Sequence, residues 1–308
     1  MKILIELPSW LGDAIMTTPA IENISNHLDS PEITLIGPFA VTEILKNNPI
    51  VSKVVVLEKN YFNIIRYARS LGHFDIYFSF RGTFRAKVLS LLVFSKRKYQ
   101  FDKRKYLKTH QVEKYNNFIN ESLDANYSAG PLKLNFKAID KDKKNNQLGI
   151  NPGASYGNSK RWYPENFAQV AVSLSDRFNI IIFGGPSEED IAKDIEKRLI
   201  QNGVFNYVNL AGKTNISELA LKISSLDLLI TGDSGPMHIA AAFQVPTVAI
   251  FGPTNDQETS QWMNKNSSIV KTDLDCQPCM RRLCHLKHHN CMKMVHSIDV
   301  INASNLIV

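Results

Sequence analysis

The strongest constraint on the fold is a regular alternation of short apolar runs with longer amphipathic runs. In the first half of the chain it predicts strands at Lys2–Leu7, Ile33–Gly37, Lys53–Leu57 and Asp75–Ser79, and helices near Ala14–His27, Ala40–Asn47, Tyr61–Leu71 and Thr83–Leu92. Such alternation is typical of a parallel sheet that helices cover on both faces.

A polar stretch, residues 140–147, then interrupts the pattern and has the composition of a linker. The pattern restarts at Leu148. It predicts strands at Asn179–Gly184, Tyr207–Leu210, Asp227–Thr231 and Thr247–Phe251, and helices at Pro164–Asp176, Glu188–Gln201, Ile216–Ser225 and Pro236–Phe243. We therefore predict two doubly wound α/β domains, residues 1–145 and 146–294.

Several classes of protein are excluded by what the sequence lacks. No apolar run reaches the roughly 18 residues that span a bilayer, and Met1–Pro8 is typical of a first core strand rather than a signal peptide. We therefore expect a cytoplasmic protein. Neither half contains the G-x-G-x-x-G fingerprint or a Walker A loop, which argues against a dehydrogenase and a phosphate-loop kinase.

In doubly wound sheets, ligands bind outside the carboxyl ends of the strands, and the unusual residues of this chain follow predicted strands. The richest segment is 226–243, where an apolar strand meets a turn at Gly232 and an alanine-rich helix follows. The N-terminus of that helix is a phosphate site. Asp233, Ser234 and His238 add a carboxylate, a hydroxyl and an imidazole, although a lone helical histidine is more often a packed residue.

Two further loops carry candidate catalytic groups, each with a structural alternative. Asp13 follows the first strand at a helix start, so it is either a general base or a carboxylate that favours the helix dipole. Lys160 and Arg161 could neutralise a pyrophosphate leaving group or form a solvated charge pair. Glu188 could bind a ribose or simply begin a helix.

The formal net charge is +7, and the excess is concentrated in residues 81–114. This segment suggests an anionic partner, which could be an acidic membrane surface, a phosphorylated substrate or nucleic acid, or it is a solvated face. Because no RNA-recognition or helix-turn-helix signature accompanies it, nucleic acid is the weakest of these partners, and we expect none.

The cysteines fall in one tract, Cys276, Cys279, Cys284 and Cys291, with three histidines among them. Crowded thiols and imidazoles suggest zinc or an iron–sulfur cluster, but the spacing does not match a zinc ribbon. Disulfides are not expected in a reducing cytoplasm. We favour packed or available thiols and expect no metal.

Taken together, these motifs resemble glycosyltransferase family 9, the bacterial heptosyltransferases, and within it the heptosyltransferase II branch. The matching segments occur in order and at compatible spacing, and the cysteine tract is similar to that of this branch. They are Pro8–Asp13 with Pro19-Ala20, Asn151–Gly157 running to Lys160–Trp162, Asp233–Ala242 and Phe251–Thr254.

The resemblance implies the GT-B fold, two Rossmann-like domains that face an interdomain cleft, with residues 295–308 forming a helix that packs back on the first domain. It implies an inverting transfer of heptose from ADP-L-glycero-β-D-manno-heptose, without metal or cofactor, to the first heptose of the lipopolysaccharide inner core. The acceptor would be a lipid A that bears Kdo and heptose, at the inner-membrane surface.

The resemblance also implies residue roles. Asp13 would be the general base and Lys160 would stabilise the departing ADP. The donor would contact Ser9, Gly12, Ser155, Tyr156, Glu188, Thr214, Asp233, Ser234, Gly235 and His238. No family motif identifies acceptor residues, and we select Arg81 and Arg85 because they follow a strand end.

Two departures from the family pattern leave alternatives open. Pro236 stands where an apolar residue is common, a change that a helix start tolerates, and residues 96–108 match nothing in the family. The alternatives are a heptosyltransferase I that adds heptose to Kdo, and a binding module without turnover. The cysteine tract favours the second-heptose branch, and the joint presence of Asp13 and Lys160 favours an enzyme.

Overall fold

The computed structural model describes residues 1–57, 68–106, 108–137 and 146–308. The chain forms two compact units, Met1–Phe136 and Lys137–Val308. The division falls near the boundary predicted at residue 145. Within the described ranges, no helix is both long and apolar enough to cross a membrane.

In the described part of the first unit, five parallel strands form a sheet of order β3-β2-β1-β4-β5. The strands are β1 Lys2–Glu6, β2 Glu32–Gly37, β3 Val51–Val56, β4 His73–Ser79 and β5 Phe94–Gln100. The described helices are α1 Leu11–Met16, α2 Thr18–His27, α3 Phe39–Leu45, α4 Phe84–Leu92 and α5 Gln111–Leu123. Most of the helix predicted at Tyr61–Leu71 lies outside the described residues.

The first unit differs from the sequence prediction in three elements. The helix predicted over Ala14–His27 is two helices, because the chain turns at Thr17, whose hydroxyl donates to the Ala14 carbonyl at 2.6 Å. Strand β5 and helix α5 were not predicted. β5 is an edge strand whose residues are mostly exposed, so its sequence lacks the apolar run that marks β1.

In the second unit, as far as it is described, six parallel strands form a sheet of order β11-β10-β9-β6-β7-β8. The strands are β6 Gln147–Asn151, β7 Asn179–Ile182, β8 Tyr207–Asn209, β9 Leu228–Gly232, β10 Thr247–Phe251 and β11 Ser267–Lys271. The helices are α6 Pro164–Leu174, α7 Glu189–Gln201, α8 Ile216–Ser224, α9 Gly235–Ala242, α10 Asp256–Thr259, α11 Asn290–Lys293 and α12 Ser297–Ile307.

The C-terminal helix α12 belongs to the second unit, whereas the sequence analysis expected it to pack on the first domain. It packs against α6, β10 and β11. Val300 and Ala303 are buried in the same apolar cluster as Val248 and Ile250 of β10. The physical reason for the difference is therefore local: the apolar face of α12 covers the outer strands of its own sheet.

Each sheet has one position where the strand order reverses. In the first unit, β1 lies between β2 and β4, and in the second unit β6 lies between β7 and β9. Loops that leave the carboxyl ends of the two strands at such a position diverge, and the crevice that results is where open α/β sheets bind ligands. Most candidate residues follow β1 and β4 in one unit, and β6 and β9 in the other; Glu188 and Thr214 instead follow β7 and β8.

Candidate active site

Asp13 lies in the first turn of α1, directly after β1. Trp10 is the residue that precedes the helix, so Asp13 is not the N-cap. Its carboxylate accepts a hydrogen bond from the hydroxyl of Tyr115 on α5, with Oη 3.3 Å from Oδ1. The contact spans 102 residues of sequence, and pattern reasoning missed it because helix α5 itself was not predicted.

Tyr115 is suited to orient this carboxylate. The ring is 3% exposed, and burial raises the pKa of Tyr115 well above its ordinary value, with the negative charge of Asp13 adding to the effect. Tyr115 therefore keeps its proton and remains a donor to Asp13. A carboxylate that accepts a hydrogen bond from a buried donor has a defined orientation, as a general base requires.

Another carboxylate of the first unit, Glu6 at the end of β1, is buried and holds one of the predicted acceptor residues. Glu6 is 1% exposed, and its Oε2 accepts hydrogen bonds from Tyr77 at 2.7 Å and Ser79 at 2.6 Å. The Nη1 atom of Arg81 lies 3.4 Å from Oε1. Arg81 is thereby fixed at the carboxyl end of β4, and Arg85 lies in the first turn of α4.

Glu6 was missed by sequence reasoning although a signal was present. It is a carboxylate at the end of the apolar run Ile3-Leu4-Ile5, in a strand that is covered on both faces. A charge buried in such a strand must be paired, because an unpaired buried charge is strongly destabilising.

In the second unit, a hydrogen-bonded triad joins the ends of β6 and β9. The amide nitrogen of Asn151 donates to Thr231 Oγ1 at 3.0 Å and to Ser234 Oγ at 3.1 Å, and the two hydroxyl oxygens are 3.1 Å apart. Ser234 is the residue before α9. The triad thus fixes the start of that helix at the reversal of the strand order.

Lys160 and Asp233, both predicted site residues, form a largely buried ion pair. The Nζ atom lies 2.5 Å from Asp233 Oδ2, and the two side chains are 12% and 6% exposed. The ammonium also donates to the Asp233 carbonyl at 3.3 Å and lies 4.7 Å from the ring centre of Tyr156. The structure therefore brings Lys160, Tyr156 and Asp233 together.

The N-terminus of α9 adjoins this pair, because Asp233 and Ser234 immediately precede its first residue, Gly235. The first-turn amides of a helix are unpaired within the helix and carry partial positive charge, so they favour an anion. Pro236 lies within the first turn, where a missing amide proton costs little. His238 is 3% exposed on the same helix.

The structure gives Glu188 a local role. Its Oε2 accepts the Gly185 amide at 2.8 Å, and Arg161 lies 3.9 Å from Oε1. The carboxylate also sits against the backbone of Gly153, where an added Cβ would approach it to 2.1 Å. These contacts agree with the structural alternative, in which Glu188 is a carboxylate at a helix start. Binding of a ribose by Glu188 stays a prediction.

The remaining predicted residues lie on loops at strand ends. Ser155 is exposed on the loop after β6, and Thr214 is half-buried on the loop between β8 and α8. In the first unit, Ser9 is exposed after β1 and Gly12 is buried in α1.

The cysteine tract anchors the loop that carries Lys160. The Ser159 hydroxyl donates to the Arg281 carbonyl at 2.5 Å, and its amide donates to the Arg282 carbonyl at 3.2 Å. The His289 ring bridges the Ser159 carbonyl at 2.9 Å and the Tyr163 hydroxyl at 3.0 Å. Sequence reasoning had weighed a metal site against packed or available thiols and did not foresee this anchoring contact.

The thiols of the tract differ in their environments. The backbone amide of His289, 3.4 Å from the sulfur of Cys284, lowers the pKa of that thiol, and nearby amides reinforce the effect. Burial raises the pKa of Cys291 to about 11, and the charges of the other three thiols add to it. Over the described ranges, no group of three or more Cys, His, Asp or Glu side chains is placed to hold a metal ion.

Comparison with known protein families and with individual relatives identifies the same family. The model of glycosyltransferase family 9 (heptosyltransferase) matches residues 76–290. The lipooligosaccharide heptosyltransferase 2 of Campylobacter jejuni serotype O:2 is 42% identical, covering 100% of this chain and 98% of the relative. The protein of the same name from serotype O:6 is 41% identical, covering 98% of this chain and 97% of the relative.

A solved structure supports the same fold. The ADP-heptose lipopolysaccharide heptosyltransferase II of Escherichia coli matches with a TM-score of 0.84 and 20% identity, covering 100% of this chain and 98% of that chain. The predicted fold class, GT-B with two Rossmann-like parallel-sheet domains, is confirmed.

Proposed function

Because this chain belongs to glycosyltransferase family 9, we propose that it transfers L-glycero-D-manno-heptose from ADP-heptose to the first heptose of the lipooligosaccharide inner core. Two relatives named for this second transfer are similar to the chain over nearly its whole length. The structural observation that carries the proposal is the buried Lys160–Asp233 pair at the start of α9, since a diphosphate leaving group needs such a cation.

In the proposed reaction, Asp13 is the general base. Its carboxylate takes the proton of an acceptor hydroxyl while that oxygen attacks the anomeric carbon of the donor. The bond between this carbon and the diphosphate oxygen breaks, and ADP leaves with the electron pair. Attack opposite to the leaving group inverts the anomeric configuration. Tyr115 supports this role because its hydroxyl donates to Oδ1 of Asp13 and so orients the carboxylate.

The negative charge that develops on ADP is stabilised by Lys160 and by the first amides of α9. Asp233 keeps the ammonium at this position before the donor binds. Fixed donors aimed at developing charge contribute strongly to catalysis, and here protein groups supply them without a metal. The proposed donor-binding residues lie on loops and helix starts: Ser9, Gly12, Ser155, Tyr156, Glu188, Thr214, Ser234, Gly235 and His238.

We infer that Arg81 and Arg85 bind the carboxylates and phosphates of the acceptor. Glu6 supports this assignment for Arg81, because it fixes the guanidinium instead of letting it move in solvent. Since the acceptor is anchored to a lipid, the protein works peripherally at the cytoplasmic face of the inner membrane.

Donor specificity tests the proposal. The wild-type protein is incubated with a heptose-bearing acceptor and either ADP-heptose, a UDP-sugar or a GDP-sugar. We expect release of ADP together with the gain of one heptose on the acceptor, measured by mass spectrometry. Binding of ADP-heptose without product would instead identify the non-catalytic module, and turnover of another nucleotide-sugar would refute the assigned donor.

A further inference from the structure

Helix α4 buries Ala86 and Leu89 but exposes two large apolar residues. Phe84 is 78% exposed and Leu91 is 82% exposed. These two residues are seven positions apart, so they lie on the same side of the helix. On the strand that follows, Phe94 is 54% exposed. Residues 84–106, which contain α4, β5 and the turn after β5, are called the basic face below.

The basic face is also strongly cationic. It contains eight basic residues and a single acidic one, Asp102. Arg85 is half-buried. The other seven basic side chains are exposed: Lys87, Lys96, Arg97, Lys98, Lys103, Arg104 and Lys105. Three of these cations, Lys96, Arg104 and Lys105, form ion pairs with carboxylates. The segment that exposes the apolar side chains nevertheless carries an excess of positive charge.

A hydrogen bond and the electrostatic environment of Asp102 link α4 to β5 and to the turn after β5. The Lys98 ammonium on β5 donates to the Ser90 carbonyl on α4 at 2.6 Å. At the other end of the helix, a Cβ on Gly82 would lie 3.2 Å from the Phe101 carbonyl. The pKa of Asp102 is lowered to about 2 by hydrogen bonds from Arg104 and, in smaller part, by the nearby charge of Lys87.

We propose that the basic face docks the protein on a bilayer that contains anionic lipids. The ammonium and guanidinium groups contact lipid phosphates, and Phe84, Leu91 and Phe94 enter the boundary between headgroups and acyl chains. A purely solvated cationic face has no reason to expose two large apolar residues on one side of a helix. Nucleic acid offers phosphates too, but it provides no apolar layer for an aliphatic side chain such as Leu91.

This inference rests on the proposed function, because a lipid-borne acceptor requires work at a membrane surface. The inference goes beyond the proposed function in two respects. It names the basic face as the surface that contacts the membrane, and it names anionic lipids as the lipids that this surface binds.

Vesicle sedimentation of the full chain tests the docking. The vesicles are phosphatidylcholine alone or phosphatidylcholine mixed with phosphatidylglycerol, and neither contains acceptor or donor. We expect binding to the mixed vesicles only, and weaker binding as salt increases, because salt screens surface charge. The apolar variant Leu91→Ser/Phe94→Ser and the charge variant Arg97→Glu/Lys103→Glu are each expected to weaken binding by about tenfold or more.

Matched controls come from the second unit. Phe205 is 73% exposed and Leu306 is 86% exposed, so Phe205→Ser/Leu306→Ser removes similar apolar area away from the basic face and should leave vesicle binding unchanged. Equal binding to both vesicle types, unchanged binding by the Leu91→Ser/Phe94→Ser variant, or preference for an RNA oligonucleotide over vesicles would each overturn the docking.

A deacylated acceptor separates this inference from the proposed function. On that water-soluble acceptor, the docking variants should keep wild-type turnover, because they do not alter the proposed site. Absence of turnover by the wild-type protein would contradict the proposed function and leave vesicle binding as an independent result.

Discussion

The pair of Asp13 and Tyr115 gives the sharpest prediction at the scale of single residues. Asp13→Asn should abolish turnover and leave ADP affinity nearly unchanged, because the proposed base does not bind the nucleotide. Tyr115→Phe should lower kcat by about tenfold, since it removes one hydrogen bond to a charged group. Kinetics and ADP titration by calorimetry measure both effects.

Another tyrosine of the same unit provides the control. The Tyr106 hydroxyl also donates to a carboxylate, Glu121, at 2.6 Å, so Tyr106→Phe removes a comparable bond and should leave kcat unchanged. If Asp13→Asn lost most of its ADP affinity, or if Tyr106→Phe were as slow as Tyr115→Phe, the base assignment would fail.

Lys160 should matter for the chemical step. Lys160→Met is expected to lower kcat by about 10²-fold or more, a typical cost of losing a group that stabilises developing charge. Lys160→Met also leaves the carboxylate of Asp233 buried without its cation, which lowers thermal stability. The double variant Lys160→Met/Asp233→Asn separates this effect from catalysis, because it should regain thermal stability and keep the low kcat.

The exposed pair of Lys193 and Glu189 gives the matched control. Lys193→Met should keep kcat and stability, because exposed ion pairs contribute little. A Lys160→Met variant with wild-type kcat would remove Lys160 from the mechanism.

The thiols of the cysteine tract should differ in reactivity. The amide of His289 lowers the pKa of Cys284, so this thiol has more reactive thiolate near neutral pH, whereas burial raises the pKa of Cys291 to about 11 and keeps it protonated. Brief treatment with iodoacetamide followed by peptide mass mapping should show Cys284 modified before Cys291, and modification of Cys291 first would contradict these environments.

Among the elements, the loop that carries Lys160 depends on its anchor in the cysteine tract. His289→Ala removes the contacts with Ser159 and Tyr163. Because each of the two hydrogen bonds contributes about 1 kcal/mol, the KM for ADP-heptose should rise by up to about 30-fold. His285 lies in the same tract and is exposed, so His285→Ala should leave KM unchanged; an equal effect of both variants would contradict the anchoring role.

Sequence reasoning predicted elements best where both faces are buried. Strands β1, β9 and β10 were placed within a residue or two, because each is almost entirely apolar and covered by helices. The edge strands β5 and β11 were missed, because partly exposed edge strands accept lysine and serine. Charged pairs such as Glu6 and Arg81 depend on neighbouring strands, so no local pattern reveals them.

At the scale of the whole molecule, each unit has a reversal of strand order, and the sequence located the loops at both. The sequence could not assign α12 to its unit. The apolar residues of a terminal helix indicate that the helix packs on another surface, but they do not indicate which surface. The family resemblance carried the residue roles, while Tyr115, the hydrogen bonds of Asn151 and the anchor at His289 emerged only from tertiary contacts.

The identity of the acceptor tests the central claim most directly. The protein is given ADP-heptose together with either lipooligosaccharide truncated after its first heptose or a heptose-free acceptor that ends in Kdo, and the product is analysed by mass spectrometry. We predict the gain of one heptose on the first acceptor alone. Equal or exclusive transfer to the heptose-free acceptor, or no transfer to either, would contradict the assignment.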